Sequence, residues 1–590
     1  MVSGMQSEMS SAAVPKQRQS LRLLARRFLI VTLTLIGAMC GVLAVLFERY
    51  VELARQAMIG AALHREGPRR ILLVIFIPAV AFAIIAYLIR RFAPKAVGAN
   101  LARVRMAFME GPKLLGPKSV GATFLATPLS LGAGAPLGPE GPIVVITSGF
   151  ASAVARFLQL PERVVRAMIP VGVAAGIAAI FNAPITGVVF ALEEIAGTGD
   201  RGLLAGILLG GVAAAVVERL LLGGRALLAA PLSTWSDPRE MIGFALVGVV
   251  SGIVSGLAIA WTHRLKRAWA EAMPSMIVRA SLAGLLIGGL GIIAPSILGV
   301  GYDSISLWLH GGGTAENTGI AFLLKTIAYV IAISGGILGG SFAPSLFIGT
   351  ALGACTGHLS ANLFPGARID PRAYAIVGMG SFFAGLLRSP MASILIVIEL
   401  TRDYDLVLPL MLGVMLSITI SRRISKLSIV EQQMLDEGYV ESHDEGDPLS
   451  RVKIGDAMSP APLTLRGDTT LGEAAPTALG TSHRVYPVVD DEGRLIGTVS
   501  RETVARGLNA ENAAVLLRDV AEEPKLVATA GGTVVEVVEQ MELHGVDRCP
   551  VVDDEVSRKV IGFLSPSDIL RVRMRRGRRE TGRELELFET

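Results

Sequence analysis

The sequence predicts an α-helical polytopic membrane protein that carries a soluble α/β module at its carboxyl end. Of its 590 residues, 52% are hydrophobic and only 18% are charged, an unusual balance for a soluble protein of this length. Apolar runs long enough to cross about 30 Å of hydrocarbon recur along the chain up to Ile420. The composition then changes sharply over residues 421–447, where basic residues lead into an acidic, polar stretch.

The amino-terminal segment, residues 1–27, is polar and basic and leads directly into an apolar run of full length. This pattern is not that of a cleavable signal peptide, and it indicates that the segment stays in the cytoplasm. The loop His64–Arg70 argues against this orientation, because it carries three arginines where the first hairpin should face outward. The longer basic amino terminus is the stronger signal. We therefore expect both termini in the cytoplasm, on a bacterial inner membrane.

The apolar runs of the membrane part fall into two kinds. Some are only about 10 to 14 residues long between glycine and proline clusters, which predicts helices that enter the membrane and stop there. The runs of full spanning length include Phe28–Leu46, Ile71–Ile89, Ile242–Ala260 and Ala280–Leu298.

The membrane part also divides into two halves, at about 28–217 and 240–430. Each half has one apolar segment that glycine and proline interrupt, Gly138–Pro142 in the first and Gly340–Pro344 in the second. Paired broken helices at matching places indicate a binding site near the bilayer midplane. A helix that begins inside the membrane exposes unpaired backbone N–H groups and the positive end of its dipole, so it attracts an anion. Residues 131–148 and 331–350 contain no Lys or Arg, so we expect backbone amides rather than salt bridges around the anion.

Two acidic sites accompany these segments. Glu140 lies in the first break, where a charged side chain costs about 3 kcal/mol unless it is protonated or paired. Its ionised carboxylate can occupy the position of the anion, and protonation would release it, which couples proton binding to anion passage. Glu193 and Glu194 follow at a helix end, where adjacent side chains point about 100° apart and need not share a role. One of them is a candidate proton acceptor near the cytoplasm.

At these positions the chain resembles the CLC family of chloride channels and chloride/proton antiporters. The resemblance covers about residues 28–438 and rests on motifs that are specific only together. It implies an all-helical CLC fold of two inverted repeats and a homodimer in which each subunit has its own pathway. The matching stretches are Gly138–Pro142, Phe181–Glu194, Gly339–Pro344 with Gly349 and Gly353, and Arg388–Thr401.

The resemblance also implies roles for single residues. Glu140 corresponds to the gating glutamate, and Glu194 to the internal proton glutamate of the antiporters. Glu193 and Glu399 are interpreted as structural, capping or pairing at helix ends. The expected anion site comprises Gly138, Gly141, Gly340, the backbone amides of Ser341 and Phe342, and the positions Ala99, Asn100 and Val430.

Three positions depart from the family pattern. Ala99 aligns with a serine that donates its hydroxyl to the anion, with Asn100 beside it as a substitute, and Val430 aligns with a tyrosine that donates from the other side. Pro139 stands where a Lys or Arg usually precedes the gating glutamate. The loss of two hydroxyl donors should weaken the central anion site by about 1 kcal/mol for each hydrogen bond. The anion preference is therefore open.

The polar carboxyl-terminal part predicts a linker at 439–451, two similar segments at 452–510 and 511–575, and a tail at 576–590. Tyr486–Asp490 followed by Leu495–Val499 matches Cys549–Asp553 followed by Val560–Leu564. This pair resembles tandem CBS domains, which often bind an adenine nucleotide.

That second resemblance implies a ribose contact at Ser565, Ser567 and Asp568 of the second repeat, whereas the first repeat has Ser500–Thr503 without the aspartate. The alternative, a scaffold that binds no ligand, stays open. Besides chloride as a ligand, no cofactor is expected. The three cysteines of the chain, Cys40, Cys355 and Cys549, lack metal or disulfide spacing and are interpreted as small buried apolar residues.

The preferred function is chloride/proton exchange, because family channels commonly carry an apolar residue in place of Glu194. The alternative is a passive, voltage- or proton-gated chloride channel of the same fold, which the missing hydroxyls favour. A cation or magnesium transporter regulated by CBS domains is remote, since the broken helices offer one carboxylate and their amino-terminal ends repel cations. The net charge is +5, but the sequence has no basic patch interleaved with aromatic residues, which is typical of nucleic-acid binders. The sequence shows no nucleophilic side chain with a general base beside it, so nothing in it indicates an enzyme.

Overall fold

The computed structural model describes residues 16–94, 100–197, 201–224, 227–231, 239–363, 369–437, 439, 452–481, 483–507, 513–554 and 556–572. The chain separates between residues 441 and 442 into two compact units. The first is the membrane unit and the second is the soluble unit, and each is described by itself.

The membrane unit is entirely helical in its described part, as predicted. Helix α1 (Lys16–Arg55) continues through a π-helical turn into α2 (Ala61–Leu63), and the chain returns as α3 (Gly67–Phe92). Among the described residues, eight helices are long and apolar enough to cross a membrane. The first half is completed by α4 (Leu101–Glu110), α5 (Pro117–Gly132), α6 (Glu140–Phe157), α7 (Glu162–Phe181), α8 (Pro184–Phe190) and α9 (Arg201–Leu222).

The second half repeats one local feature of the first. Helices α8 and α16 each begin with a proline two residues after a residue in the left-handed conformation, Asn182 (φ 49°) and Arg388 (φ 68°). The helices of the second half are α10 (Glu240–Ala272), α11 (Met276–Ile293), α12 (Tyr302–Leu309), α13 (Ala315–Ser334), α14 (Phe342–Leu363), α15 (Pro371–Leu387), α16 (Pro390–Thr401), α17 (Val407–Ile424) and α18 (Ile429–Asp436).

Two expectations about this unit need correction. The apolar run Ala280–Leu298 is not one helix, because α11 ends at Ile293 and Pro295, which has no N–H to donate, opens a short 3₁₀ turn. Cys40 is buried as predicted, whereas Cys355 is only half-buried and its thiol donates to the Ala315 carbonyl at 3.4 Å.

The soluble unit contains two small sheets. Strands β2 (Leu465–Arg466), β3 (Val485–Val489) and β4 (Leu495–Ser500) form one, with β2 parallel and β4 antiparallel to β3. The other has the order β1-β7-β6-β5 and consists of β1 (Ser459–Pro460), β5 (Ala528–Thr529), β6 (Cys549–Val552) and β7 (Val560–Leu564). The helices are α19 (Ile454–Ala457), α20 (Leu471–Leu479), α21 (Arg501–Arg506), α22 (Leu517–Val520) and α23 (Val534–His544).

The two repeats of the soluble unit exchange their first segments. Strand β1 pairs with β7 of the second repeat, and Ile454 and Ala457 belong to the apolar core of that repeat. In return Leu517, which follows the expected start of the second repeat, is buried in the core of the first. Each apolar core therefore contains residues from both repeats.

Candidate functional site at two broken helices

The two segments that precede the broken helices meet in the membrane unit. Gly138 and Gly340 form an antiparallel bridge, in which the Gly138 amide donates to the Gly340 carbonyl at 2.9 Å and the Gly340 amide donates back at 2.6 Å. A Cβ atom at Gly340 would lie only 2.6 Å from the Gly141 amide nitrogen. Only glycine permits this approach. The structure therefore brings together three of the glycines that the sequence assigns to the anion site.

Glu140 begins α6 beside this bridge and is fully buried, with 0% of its surface exposed. Its Oε2 accepts the backbone amide of Ala343, in the first turn of α14, at 3.4 Å. Its Oε1 accepts the hydroxyl of Tyr302 at 2.5 Å. A carboxylate thus lies at the amide end of a helix from the other half of the unit, which is a typical position for an anion.

Tyr302, the first residue of α12, is a contact that sequence reasoning missed. It is 162 residues from Glu140 in the chain and lies outside every motif that carries the family resemblance. The signal nearby is a Gly–Val–Gly sequence, in which Gly299 and Gly301 both have positive φ values, 69° and 91°. This tight loop places Tyr302 at the start of its helix.

Lys325 of α13 is a second residue that the sequence analysis did not single out. It is fully buried, and its ammonium group donates to the carbonyls of Ile297 at 2.8 Å and Gly299 at 2.6 Å. The same group lies 4.7 Å from the centre of the Phe347 ring. Lys325 therefore anchors the loop that precedes Tyr302.

The start of α14 is held by aromatic contacts. The ring of Phe342 is 4.9 Å from that of Phe190 and 5.0 Å from that of Phe383, both edge-on, and 6.4 Å from that of Phe181. The hydroxyl of Tyr329 donates to the Ser341 hydroxyl at 3.0 Å. These contacts fix the orientation of the two residues whose amides the resemblance assigns to the anion.

The other expected anion ligands are Asn100, Val430 and Ala99. Asn100 caps α4 by accepting the Arg103 amide at 3.4 Å, and its side chain donates to Gln433 at 2.8 Å. Val430 is buried in α18, which packs against α4, α10 and α15. Ala99 lies outside the described residues. That these three positions contribute to the anion site stays a prediction.

The adjacent carboxylates of Glu193 and Glu194 point to different partners. Glu193 accepts the amides of Met391 at 3.2 Å and Ala392 at 2.8 Å, in the first turn of α16, which confirms its interpretation as a cap. Glu194 is 7% exposed and accepts the hydroxyl of Ser389 on Oε1. Its Oε2 lies 3.9 Å from the Arg105 guanidinium. Both glutamates belong to a π-helical turn, Ala191–Ala196, of a kind that is frequent at functional sites.

Two cavities reach residues next to the bridge. The Tyr302 cavity, of about 520 Å³, is lined by Pro139, Tyr302 and the charged residues Glu48, Arg49, Glu52, Arg55 and Asp303. The Gly339 cavity, of about 370 Å³, is lined by Gly339, Asn100 and the polar residues Arg103, His263, Lys266, Asp436 and Glu437. Pro139, which stands where the resemblance predicts a Lys or Arg, lines the Tyr302 cavity. In the structure, arginines of α1 line the same cavity.

In the soluble unit, Asp568 is almost fully buried and both of its oxygen atoms have partners. Oδ1 accepts the hydroxyl of Ser459 in β1 at 2.8 Å, and Oδ2 accepts the amide and hydroxyl of Ser565 at 3.0 and 2.6 Å. Ser567 exchanges a hydrogen bond with Ser565 at 2.8 Å. These contacts give Asp568 a structural role between the two repeats. Adenine-nucleotide binding at the three residues stays a prediction.

Comparison with known proteins bears on both units. A family model described as voltage gated chloride channel matches residues 80–422, and the CBS domain model matches residues 454–510 and 517–575. Both resemblances inferred from the sequence are thereby confirmed. A ClcB-like chloride channel protein of Ralstonia nicotianae is 33% identical over 288 residues, which are 48% of this chain and 67% of the relative.

Solved structures match the fold over most of the chain. A slow cyanobacterial Cl⁻/H⁺ antiporter gives a TM-score of 0.64 at 23% identity, over 69% of this chain and 97% of its own. A eukaryotic CLC transporter gives 0.64 at 20% identity, over 93% of this chain and 98% of its own. A CLC-type fluoride/proton antiporter gives 0.58 at 21% identity, over 69% and 98%. At these identities the matches establish the fold alone.

Proposed function

Since the chain belongs to the family of voltage gated chloride channels, we propose that it transports chloride across a membrane in exchange for protons. The observation that carries this proposal is the position of Glu140. Its buried carboxylate accepts the Ala343 amide where the segments before the two broken helices pair. A chloride ion that passes through the same amide ends must displace it.

The proposed exchange depends on the charge of Glu140. While ionised, the carboxylate competes with chloride for the same helix ends. Protonation removes the negative charge, weakens the attraction to these ends and lets the side chain leave. Chloride then enters a site of backbone amides, from which it can also be released because no full positive charge holds it.

Glu194 is the proposed inner proton acceptor. An ionisable side chain inside a membrane protein is a functional candidate by default, and Glu194 is buried between Ser389 and Arg105. By family resemblance we further propose a homodimer with one pathway in each subunit. The basic residues of the amino-terminal segment support an inner-membrane orientation with both termini in the cytoplasm.

The test is a paired measurement of chloride and proton flux in proteoliposomes that contain the purified full chain. An outward chloride gradient should drive proton movement in the opposite direction. Glu140→Ala should abolish the proton flux and keep the chloride flux. Glu194→Ala should also abolish the proton flux, whereas Glu193→Gln, its neighbour with a different partner, should retain it. Proton flux that survives in Glu140→Ala would refute the assignment.

A passive chloride channel is the second candidate, and the missing hydroxyl at Val430 favours it. A weak central site would let chloride pass without strict competition from Glu140. This candidate predicts chloride flux without proton movement in the unmodified chain. Because the solved relatives include both a chloride and a fluoride antiporter, the same vesicles should be tested with each anion.

A further inference from the structure

We propose that Tyr302 is a positioning residue for Glu140 and that its hydroxyl sets the pH at which Glu140 leaves the anion pathway. This inference rests on the proposed exchange function, because it concerns the same carboxylate. It adds a group that holds the ionised side chain in place from the side of the Tyr302 cavity.

The first support is the placement of the two side chains. The Tyr302 hydroxyl donates to Glu140 Oε1 at 2.5 Å, while Oε2 of the same carboxylate accepts the Ala343 amide at 3.4 Å. Glu140 is 0% exposed, whereas Tyr302 is partly exposed and lines the cavity. Tyr302 therefore contacts the buried carboxylate on one side and lines the cavity on the other.

The second support is the way in which the protein fixes Tyr302. The preceding loop is held by the buried Lys325, which donates to the carbonyls of Ile297 and Gly299. Gly301 has a φ of 91°, and a Cβ atom there would lie 2.6 Å from the ring of Phe347. The loop therefore cannot shift away easily, and the hydroxyl stays directed at Glu140. A group that must hold a mobile side chain in one place needs such rigid support.

Several charged groups face this pair from the elements packed around it. Helix α1 contributes Glu48, Arg49, Glu52 and Arg55, α12 contributes Asp303, and α13 contributes Lys325. Arg55 and Glu52 pair with each other at 2.8 Å. The Tyr302 hydroxyl differs from all of them because it makes a hydrogen bond to the carboxylate itself.

The expected effect follows from the charge of the acceptor. A hydrogen bond to an ionised carboxylate stabilises the charged form more than the protonated form. Tyr302→Phe removes the donor and keeps the ring, so Glu140 should become protonated in less acidic solution. The pH at half-maximal chloride flux should rise by about one unit.

The experiment measures chloride and proton flux against pH in proteoliposomes of the full chain. Tyr302→Phe and Tyr302→Leu both lack the hydroxyl and should shift the profile in the same direction. Tyr374→Phe is the matched control, because Tyr374 is a buried tyrosine that packs against Phe244. It should leave the profile unchanged. In a Glu140→Ala background, Tyr302→Phe should have no effect on the pH profile.

The outcomes separate this inference from the function on which it rests. An unchanged profile in both Tyr302 variants would overturn the inference, and so would a shift that persists in the Glu140→Ala background. Absence of chloride flux, or a Glu140→Ala variant that still moves protons, would instead refute the proposed function.

Discussion

Glu399 and Thr186 form a double hydrogen bond across the two halves of the membrane unit. Oε2 of Glu399 accepts the Thr186 amide at 2.6 Å and the Thr186 hydroxyl at 2.5 Å, and Oε1 accepts the Ile185 amide at 3.1 Å. Glu193 makes the reciprocal contact with the first amides of α16. The first turn of α8 is therefore capped by Glu399, near the end of α16. The first turn of α16 is capped by Glu193, which follows α8.

Loss of either capping charge should lower stability and leave transport intact. Glu399→Gln and Glu193→Gln each weaken hydrogen bonds from helix-end amides and remove a favourable charge, so each should cost about 1–2 kcal/mol of unfolding free energy. Denaturant or thermal unfolding of the detergent-solubilised protein measures this. Glu110→Gln, at an exposed residue, is the control and should change little. Normal stability in both capping variants would show that these contacts add nothing.

Ser389 should matter for proton transport and not for chloride binding. It stands at the position that caps α16, yet its hydroxyl makes no cap and donates to Glu194. Ser389→Ala should therefore reduce the proton flux several-fold, because Glu194 loses a partner that orients it. Ser393→Ala removes a buried hydroxyl that donates to the backbone carbonyl of Ser389 rather than to Glu194, so it should keep the wild-type ratio of proton to chloride flux. Equal ratios in both variants would contradict this role.

The hydroxyl donors of the family pattern that this chain lacks, at Ala99 and Val430, can be tested by adding one back. Ala99→Ser should strengthen chloride binding by about 1 kcal/mol, or about fivefold in affinity. Calorimetric titration of the purified protein with chloride measures the change. Ala99→Gly adds no hydroxyl and is the control. If both variants bind chloride as weakly as the unmodified chain, no hydroxyl at this position reaches the anion.

The sequence could predict that Gly138, Glu140 and Gly340 lie near one another, because each belongs to a compact motif in which glycine and proline interrupt an apolar segment. It could not identify Tyr302 or Lys325. Their roles come from tertiary contacts between distant segments, and nothing in the local pattern of α12 or α13 distinguishes them from ordinary packing residues. The exchange in the soluble unit was missed for a similar reason. Strand β1 has only two residues, so its pattern does not reveal which sheet it joins.

The exchange between the soluble repeats can be measured through Cys549. This cysteine is buried in β6, and burial raises the pKa of its thiol to about 12, so a thiol reagent at neutral pH should react only when the repeat opens. Ser459→Ala removes a hydrogen bond to the buried Asp568, which should cost about 1.5–3 kcal/mol. Labelling of Cys549 should then be about 10- to 100-fold faster.

The control for this measurement is Thr477→Ala, at an exposed position of α20 in the first repeat. It should leave the labelling rate of Cys549 unchanged, because no exchanged segment is touched. A chain truncated after residue 510 should fail to fold its soluble part, since β1 and α19 would lose the core that they complete. If Ser459→Ala labels at the rate of the control, β1 does not hold the second repeat closed.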